Sequence, residues 1–246
     1  MSERTAYLLV FHGSRNRHYP EKLSRLGILF RQEVDSLVET AVLELTDIPL
    51  AEKIVQFYQK AIALGYQKIA VLPVLLSAGI HVREDIPQEL AQARSILKSS
   101  QGAKINLKLL DCLSSASNLT ELLEQRFNLA TSEARILLAH GSRIPESNRQ
   151  IEAIAHQLGA AVAFWKTAPD LDSVVQSLVE QNKKSIAIVP YFLFLGTITD
   201  AIASRVIQLQ LQYPKVKICL TQPLGATPEL VTVLASIALK EPATLS

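Results

Sequence analysis

Residues 8–15, LLVFHGSR, decide how this chain folds, because residues 136–143 repeat them as ILLAHGSR. Two further landmarks recur in the same order, residues 72–79 at 189–196 and residues 113–119 at 224–230. The chain of 246 residues is long enough for two modest domains with real cores. We therefore predict an internal duplication, with one domain at residues 1–130 and a similar one at residues 131–246.

Apolar runs alternate with amphipathic stretches along both halves. Residues 6–11 form a short unbroken apolar run, as buried strands of parallel sheets do. The pattern predicts strands at 6–11, 39–45, 68–76, 105–110, 135–139, 160–165, 185–193 and 215–220. It predicts helices at 21–37, 50–64, 86–98, 118–128, 146–158, 171–182, 199–212 and 228–238. The alternation predicts an α/β fold, with a parallel sheet flanked by helices in each half.

The composition describes a globular protein rather than a disordered or nucleic-acid-coating one. Apolar residues make up 48% of the chain, and the formal net charge is +2. No basic block suggests nucleic acid as a partner, and the apolar runs are too short to span a membrane. Cys112 and Cys219 are expected to be buried free thiols in a cytoplasmic protein without a signal-peptide pattern. We expect a monomer, because an internal duplication can replace a homodimer.

Three side chains suited to metal binding follow predicted strands of the first half. His12 comes directly after the first strand, Glu44 lies near the end of the second, and His81 follows the third by a short loop. Ligands of open α/β sheets bind at the carboxyl ends of strands, so these groups are expected to converge. Two imidazoles and a carboxylate suit Fe(II), Co(II), Ni(II) or Zn(II), and the same groups can accept protons. The alternative is that Glu44 is a surface carboxylate and His81 a loop residue.

The second half keeps one of these three groups. His140 repeats His12, and this recurrence also fits a role in the turn itself. The counterpart of His81, aligned on the two repeated glycines, is Ile198. The counterpart of Glu44 is Phe164 or Trp165, depending on where the gap is placed. We therefore predict a metal site in the first half and a degenerate one in the second.

The motifs around these residues resemble those of the sirohydrochlorin chelatases, the small class II tetrapyrrole chelatases. The resemblance covers essentially the whole chain and is closest to the long two-domain form. The matching segments of the first half are residues 12–15 (HGSR), 43–44 (LE) before 47–49 (DIP), 72–73 (LP), 79–82 (GIHV) and 85–87 (DIP). The second half matches at residues 140–143 and departs at Ile198 and at the glutamate position.

The resemblance implies an enzyme that inserts Co²⁺ or Fe²⁺ into sirohydrochlorin, in sirohaem or cobalamin biosynthesis. In this reading His12 and His81 bind the metal and accept protons, and Glu44 assists them. The metal, with Ni²⁺ as a further candidate, is a substrate, and no organic cofactor is expected. Two rival functions stay open at this point. One is a metal carrier without chemistry, and the other is a protein that binds a tetrapyrrole without catalysis.

Sirohydrochlorin carries many carboxylates, so cationic side chains near the strand ends are candidates for binding it. The substrate-binding residues suggested on this ground are Ser14, Arg15, Arg83, His140 and Arg143. For each arginine, a solvated surface position is an alternative. For Ser14, the alternative is a helix cap or a turn stabilised by the hydroxyl. The second half is expected to help hold the macrocycle.

Overall fold

The computed structural model of the chain describes residues 4–101 and 106–240. Its strands are β1 (Thr5–Phe11), β2 (Val38–Val42), β3 (Lys68–Pro73), β4 (Leu107–Leu109), β5 (Ala134–Ala139), β6 (Ala161–Phe164), β7 (Ser185–Pro190) and β8 (Lys217–Leu220). Its α-helices are α1 (Tyr19–Val34), α2 (Leu50–Ala63), α3 (Ile86–Gln101), α4 (Leu119–Phe127), α5 (Pro145–Gln157), α6 (Leu171–Glu180), α7 (Thr197–Gln212) and α8 (Pro228–Ala238). A π-helical turn, His81–Asp85, runs directly into α3, and a 3₁₀ turn spans Leu113–Ser115.

The strands form two four-stranded sheets with the same topology. The first has the order β2-β1-β3-β4 and the second the order β6-β5-β7-β8. All neighbouring strands are parallel. The predicted fold class, two similar α/β domains that each contain a parallel sheet flanked by helices, is confirmed.

Apolar side chains occupy both sides of β1 because helices cover both faces of its sheet. Leu8 and Val10 are fully buried in a cluster that includes Ile54 of α2. Tyr7 points to the other face, where its ring meets Phe30 of α1 edge to face with 5.7 Å between centroids. Burying each large aliphatic side chain stabilises the fold by about 1.5–3 kcal/mol. The unbroken apolar run is therefore a consequence of burial on both faces.

The packing divides the chain into two compact units that differ slightly from the sequence repeats. One unit contains the described residues up to Ser117 together with those from Ala226 onward, and the other is Asn118–Gly225. Within these units α4 packs against β7, and α8 packs against α1. The final helix of each sequence repeat therefore belongs to the packing unit of the other repeat. The ranges 1–130 and 131–246 follow the sequence repeat, and as domain boundaries they stay a prediction.

Several element boundaries differ from the predicted ones. Strand β2 ends at Val42, before the predicted position 45, and His81 lies in the π-helical turn instead of a loop. The predicted strand 105–110 shortens to β4, and residue 105 lies outside the described residues. Cys112 and Cys219 are free, as predicted, and Cys112 is buried, but Cys219 is only partly buried because it lies on the edge strand β8. Among the helices of the described ranges, none combines the length and apolar character needed to cross a membrane.

Candidate metal centre

The three predicted site residues of the first half follow three adjacent strands. In the order β2-β1-β3, Glu44 follows β2, His12 follows β1 and His81 follows β3. Because the strands are parallel, their carboxyl ends lie at one edge of the sheet. The strand order therefore brings together side chains that are up to 69 positions apart in the sequence.

Gly13 allows the ends of β1 and β2 to approach closely. The amide of Glu44 donates to the carbonyl oxygen of His12 at 2.9 Å. A Cβ atom at position 13 would collide with the carbonyl oxygen of Glu44, and the φ angle of Gly13 is +117°. Both constraints select glycine. The His-Gly pair therefore sets the approach of the carboxylate strand to the imidazole strand.

The residue after Glu44 has a strained backbone. Leu45 has a φ angle of 57°, in the left-handed region that leucine rarely adopts, and its side chain is largely exposed. Such a conformation costs on the order of 1–3 kcal/mol and persists only where the surrounding structure enforces it. The turn that ends β2 is thus held in a specific shape immediately beside the carboxylate.

The side chains of the three residues converge to metal-binding distances. One ligand atom of each of His12, Glu44 and His81 lies within 4.8 Å of those of the other two. The Nε2 atom of His12 is 3.9 Å from Oε2 of Glu44, and the two imidazole centroids are 4.6 Å apart. Two donor atoms that each lie about 2.1 Å from one ion are at most about 4.2 Å apart. The cluster therefore needs only small side-chain movements to coordinate a single metal ion.

Asp85 orients one of the two histidines. In the π-helical turn, Nδ1 of His81 lies 2.6 Å from Oδ2 of Asp85. A hydrogen bond donated by Nδ1–H leaves the lone pair of Nε2 for a metal or a proton. Sequence reasoning missed this residue. The signal that would have found it is the spacing of four between His81 and Asp85, which places both on one helical face.

The site keeps His12 in the form that binds metals. Partial burial and the neighbouring charge of His81 lower the pKa of His12 below its ordinary value, and Glu44 opposes them only in part. The imidazole is therefore neutral at pH 7, with a lone pair available. About half of each side chain of His12 and Glu44 is exposed, so ions and ligands can reach the cluster from solvent.

The substrate-binding candidates of the first half lie on the surface around this site. Arg15 and Arg83 are exposed. Ser14 lines a cavity of about 370 Å³ together with Gly13. Its hydroxyl accepts a hydrogen bond from the amide of Asn16, so the alternative prediction of a hydroxyl-stabilised turn is confirmed. A role of these three residues in substrate binding stays a prediction.

The second sheet corrects the predicted counterpart of the glutamate. The amide of Glu44 bonds to the carbonyl oxygen of His12, and the amide of Lys166 bonds in the same way to that of His140. Residues 164–165 were the predicted counterparts. Val42, the last paired residue of β2, corresponds to Phe164, the last paired residue of β6. Residues 164 and 165 therefore lie two positions and one position before the counterpart of Glu44. The gap in the repeat falls elsewhere, and a lysine occupies the glutamate position.

The other comparisons between the halves agree with the sequence. The register of β7 on β5 repeats that of β3 on β1, so Ile198 is the counterpart of His81. His140 and Arg143 are exposed in their own unit. Partial burial and the charge of Lys166 lower the pKa of His140. Of the three groups of the metal cluster, the second half thus keeps one imidazole, next to a cation.

Known proteins are similar to this chain along most of their length. The sirohydrochlorin cobaltochelatase of Priestia megaterium is 26% identical over 243 residues, which cover 92% of this chain and 76% of that protein. The sirohydrochlorin ferrochelatase of Bacillus subtilis is 25% identical, with 87% of this chain and 83% of that protein covered. The solved structure of SirB from Bacillus subtilis with Fe³⁺ has the same fold, with a TM-score of 0.81 at 22% identity and with 96% and 94% of the two chains covered.

A single family model describes both halves. The model of the CbiX family matches residues 6–130 and matches again at residues 134–240. The two matches coincide with the two sequence repeats and together span nearly the whole chain. The chain belongs to the CbiX family.

Proposed function

We propose that this chain inserts Co²⁺ or Fe²⁺ into sirohydrochlorin. The observation that carries the proposal is the convergence of His12, Glu44 and His81 within 4.8 Å of one another at the carboxyl ends of three adjacent strands. The two relatives named above are a sirohydrochlorin cobaltochelatase and a sirohydrochlorin ferrochelatase. The donor set of two imidazoles and a carboxylate suits both metals.

The histidines supply the ligands that first hold the ion. His12 is neutral at pH 7 because its pKa is lowered. The contact between Nδ1 of His81 and Asp85 favours the tautomer in which Nε2 keeps its lone pair. Glu44 adds a negative charge, which offsets part of the charge of a divalent cation. The site is half exposed, so the ion can enter directly from solvent and leave towards a bound macrocycle.

Insertion also requires that protons leave the substrate. When a divalent metal enters the ring, two pyrrole N–H bonds break and two protons are released. The metal bonds to all four ring nitrogens and gives up its bonds to the protein ligands. Glu44 and the imidazole that has given up the metal are the proposed proton acceptors, and Nε2 of His12 lies 3.9 Å from Oε2 of Glu44. Binding energy from the ring substituents is available to bend the macrocycle so that its nitrogen lone pairs face the ion.

The remaining features of the proposal concern the substrate and the setting. Ser14 and Arg15 follow His12 by two and three positions, and Arg83 follows His81 by two. These three exposed residues are proposed to contact the substrate or its carboxylates. Ni²⁺ is a third metal that the same ligands accommodate. A cytoplasmic location and a monomeric state are part of the proposal and follow from the sequence predictions alone.

The test is an anaerobic insertion assay. Sirohydrochlorin is mixed with Co²⁺, Fe²⁺ or Ni²⁺, with and without the protein, and the visible absorption spectrum is followed. We expect faster metallation with wild-type protein and none above background with His81→Ala. The matched control is His156→Ala, since His156 is exposed on α5, away from the strand ends. Circular dichroism checks that all three proteins are folded.

The assay separates the rival functions. A carrier would bind the metal in a calorimetric titration without binding sirohydrochlorin. A non-catalytic tetrapyrrole protein would change the spectrum of sirohydrochlorin on binding without accelerating metallation. Either result with folded wild-type protein would overturn the proposal. Unchanged turnover in His81→Ala would overturn the site assignment and leave the activity standing.

A further inference from the structure

In the second half, a lysine stands at the position that the glutamate of the metal cluster has in the first half. Lys166 takes the place of Glu44, because its amide bonds to the carbonyl oxygen of His140 as that of Glu44 bonds to His12. The substitution changes the charge at this position from negative to positive. A divalent cation is attracted to the first arrangement and repelled by the second.

The ammonium group of Lys166 has no carboxylate partner in the described ranges. The ion pairs of the second unit there are Arg135–Glu124, Arg149–Glu146 and Arg205–Asp172. Lys166 is exposed, and its charge acts on the neighbouring imidazole of His140. Arg143, three residues beyond His140, is also exposed and outside these pairs. An unpaired ammonium group beside a neutral imidazole can offer two hydrogen-bond donors to a single anion.

Carboxylate is the anion that fits this pair in the proposed reaction. An ammonium N–H and a ring N–H can each donate to one carboxylate oxygen, and charge-assisted bonds of this kind are stronger than neutral ones. The turn that carries the lysine is also different from that of the first half. At Gly141 a Cβ atom would meet the side chains of Thr167 and Phe164, whereas at Gly13 it meets backbone. The second turn has therefore been rebuilt with new side chains around the same His-Gly core.

We propose that His140 and Lys166 form a carboxylate-binding site that holds a side-chain carboxylate of the tetrapyrrole substrate. This inference rests on the proposed function and specifies what the degenerate half contributes to it. In this view the duplication has yielded one site for a cation and one for an anion. His140 and Lys166 are binding residues that hold a carboxylate and take no part in proton or metal transfer.

The experiment compares Lys166→Ala and Lys166→Arg with the wild type in the anaerobic insertion assay. We expect the KM for sirohydrochlorin to rise about 3- to 10-fold in Lys166→Ala, since one solvent-accessible charged contact is lost. The KM for the metal and kcat should change less than twofold. Lys166→Arg keeps the charge and should stay within about twofold of the wild type. Lys215→Ala is the matched control, because Lys215 is an exposed lysine before β8, at the opposite edge of the same sheet.

The outcomes distinguish this inference from the proposed function. If the wild type inserts metal and Lys166→Ala has the KM of the wild type, the carboxylate site is wrong and the chelatase function stands. An equal rise in KM for Lys215→Ala would also overturn the site, because the effect would then reflect overall charge. If the wild type inserts no metal, the function fails. Equilibrium binding of sirohydrochlorin to the wild type and to Lys166→Ala, followed by absorption, then decides the carboxylate site independently.

Discussion

The two sheets of this protein have the same strand order and the same His-Gly-Ser-Arg turn after their first strand, yet among the described residues only the first has a complete metal cluster. In the first half, Glu44 and His81 join His12. In the second, Lys166 and Ile198 take their places beside His140. The features that both halves keep are those that fold the chain, namely buried strands and glycine turns. Two side chains at strand ends are enough to remove the metal site while the fold remains.

The largest expected difference between the halves lies in their shared histidine. We expect His12→Ala to lower kcat for metal insertion by at least about 100-fold, because it removes both a ligand and a proton acceptor. His140→Ala should change kcat less than about threefold and act mainly on the KM for sirohydrochlorin. Both side chains are exposed, so thermal unfolding should shift little in either variant. Equal losses of kcat in the two variants would contradict the prediction that His12 acts in metal insertion and His140 in substrate binding.

Asp85 is the next most sensitive position, since it orients His81. Asp85→Asn keeps a hydrogen-bond acceptor for Nδ1–H but removes the negative charge that makes the imidazole a better ligand. We expect a loss of about 10- to 100-fold in metal affinity, measured by titration with Co²⁺. Glu84→Gln, the exposed neighbouring carboxylate, is the control and should bind as the wild type does. An Asp85→Asn protein with wild-type affinity would show that His81 needs no orienting partner.

The comparison can also be tested by restoring the missing groups. The double variant Lys166→Glu with Ile198→His places a carboxylate and a second imidazole next to His140. We expect it to bind a second equivalent of Co²⁺, whereas each single variant should bind one equivalent. The new site should be about 10- to 100-fold weaker than the original, because the residue four positions after 198 is Ile202, a fully buried core residue that cannot orient the new imidazole as Asp85 orients His81. A double variant that binds one equivalent would mean that the turns differ in more than their side chains.

Much of this molecule could be predicted from its sequence because the relevant signals are periodic or repeated. The repeat predicts two similar sheets, and the strand ends predict that His12, Glu44 and His81 meet. Two features of the site could not be predicted in this way. The contact with Asp85 depends on helical structure that begins at His81, which the loop-like sequence around Gly79 conceals. The role of Lys166 depends on where β6 ends, and an alignment gap hides that position until the strand register is known.

The assignment of the last helices to packing units shows a second limit of sequence reasoning. Periodicity predicts that residues 118–128 and 228–238 form amphipathic helices, and both do. It carries no information about which sheet their apolar faces cover. Helix α4 packs against β7 and α8 against α1, so each lies in the unit of the other repeat. Non-local packing of this kind is determined by the whole fold.

The smallest expected difference concerns an ion pair of the first half whose acidic residue is replaced by alanine in the second. Glu39, on β2, accepts a hydrogen bond from Lys60 at 2.7 Å and lies 3.5 Å from Lys53, while its counterpart on β6 is Ala161. Burial by itself would raise the pKa of Glu39, but the hydrogen bond and the two lysine charges lower it below its ordinary value of 4.5. Glu39→Gln should therefore lower the free energy of unfolding by about 0.5–1 kcal/mol at pH 7.

This loss has a defined pH dependence. A carboxylate whose pKa is lower in the folded state stabilises the protein above its unfolded pKa, and the contribution disappears as the pH falls through the folded pKa. The difference between Glu39→Gln and the wild type in urea unfolding should thus be full at pH 7 and shrink below about pH 4.5. Glu33→Gln, which changes an exposed carboxylate on α1, should show no such dependence. A difference that persists unchanged at pH 3 would mean that the glutamine disturbs packing at the edge of the first sheet, and that the charge contributes nothing.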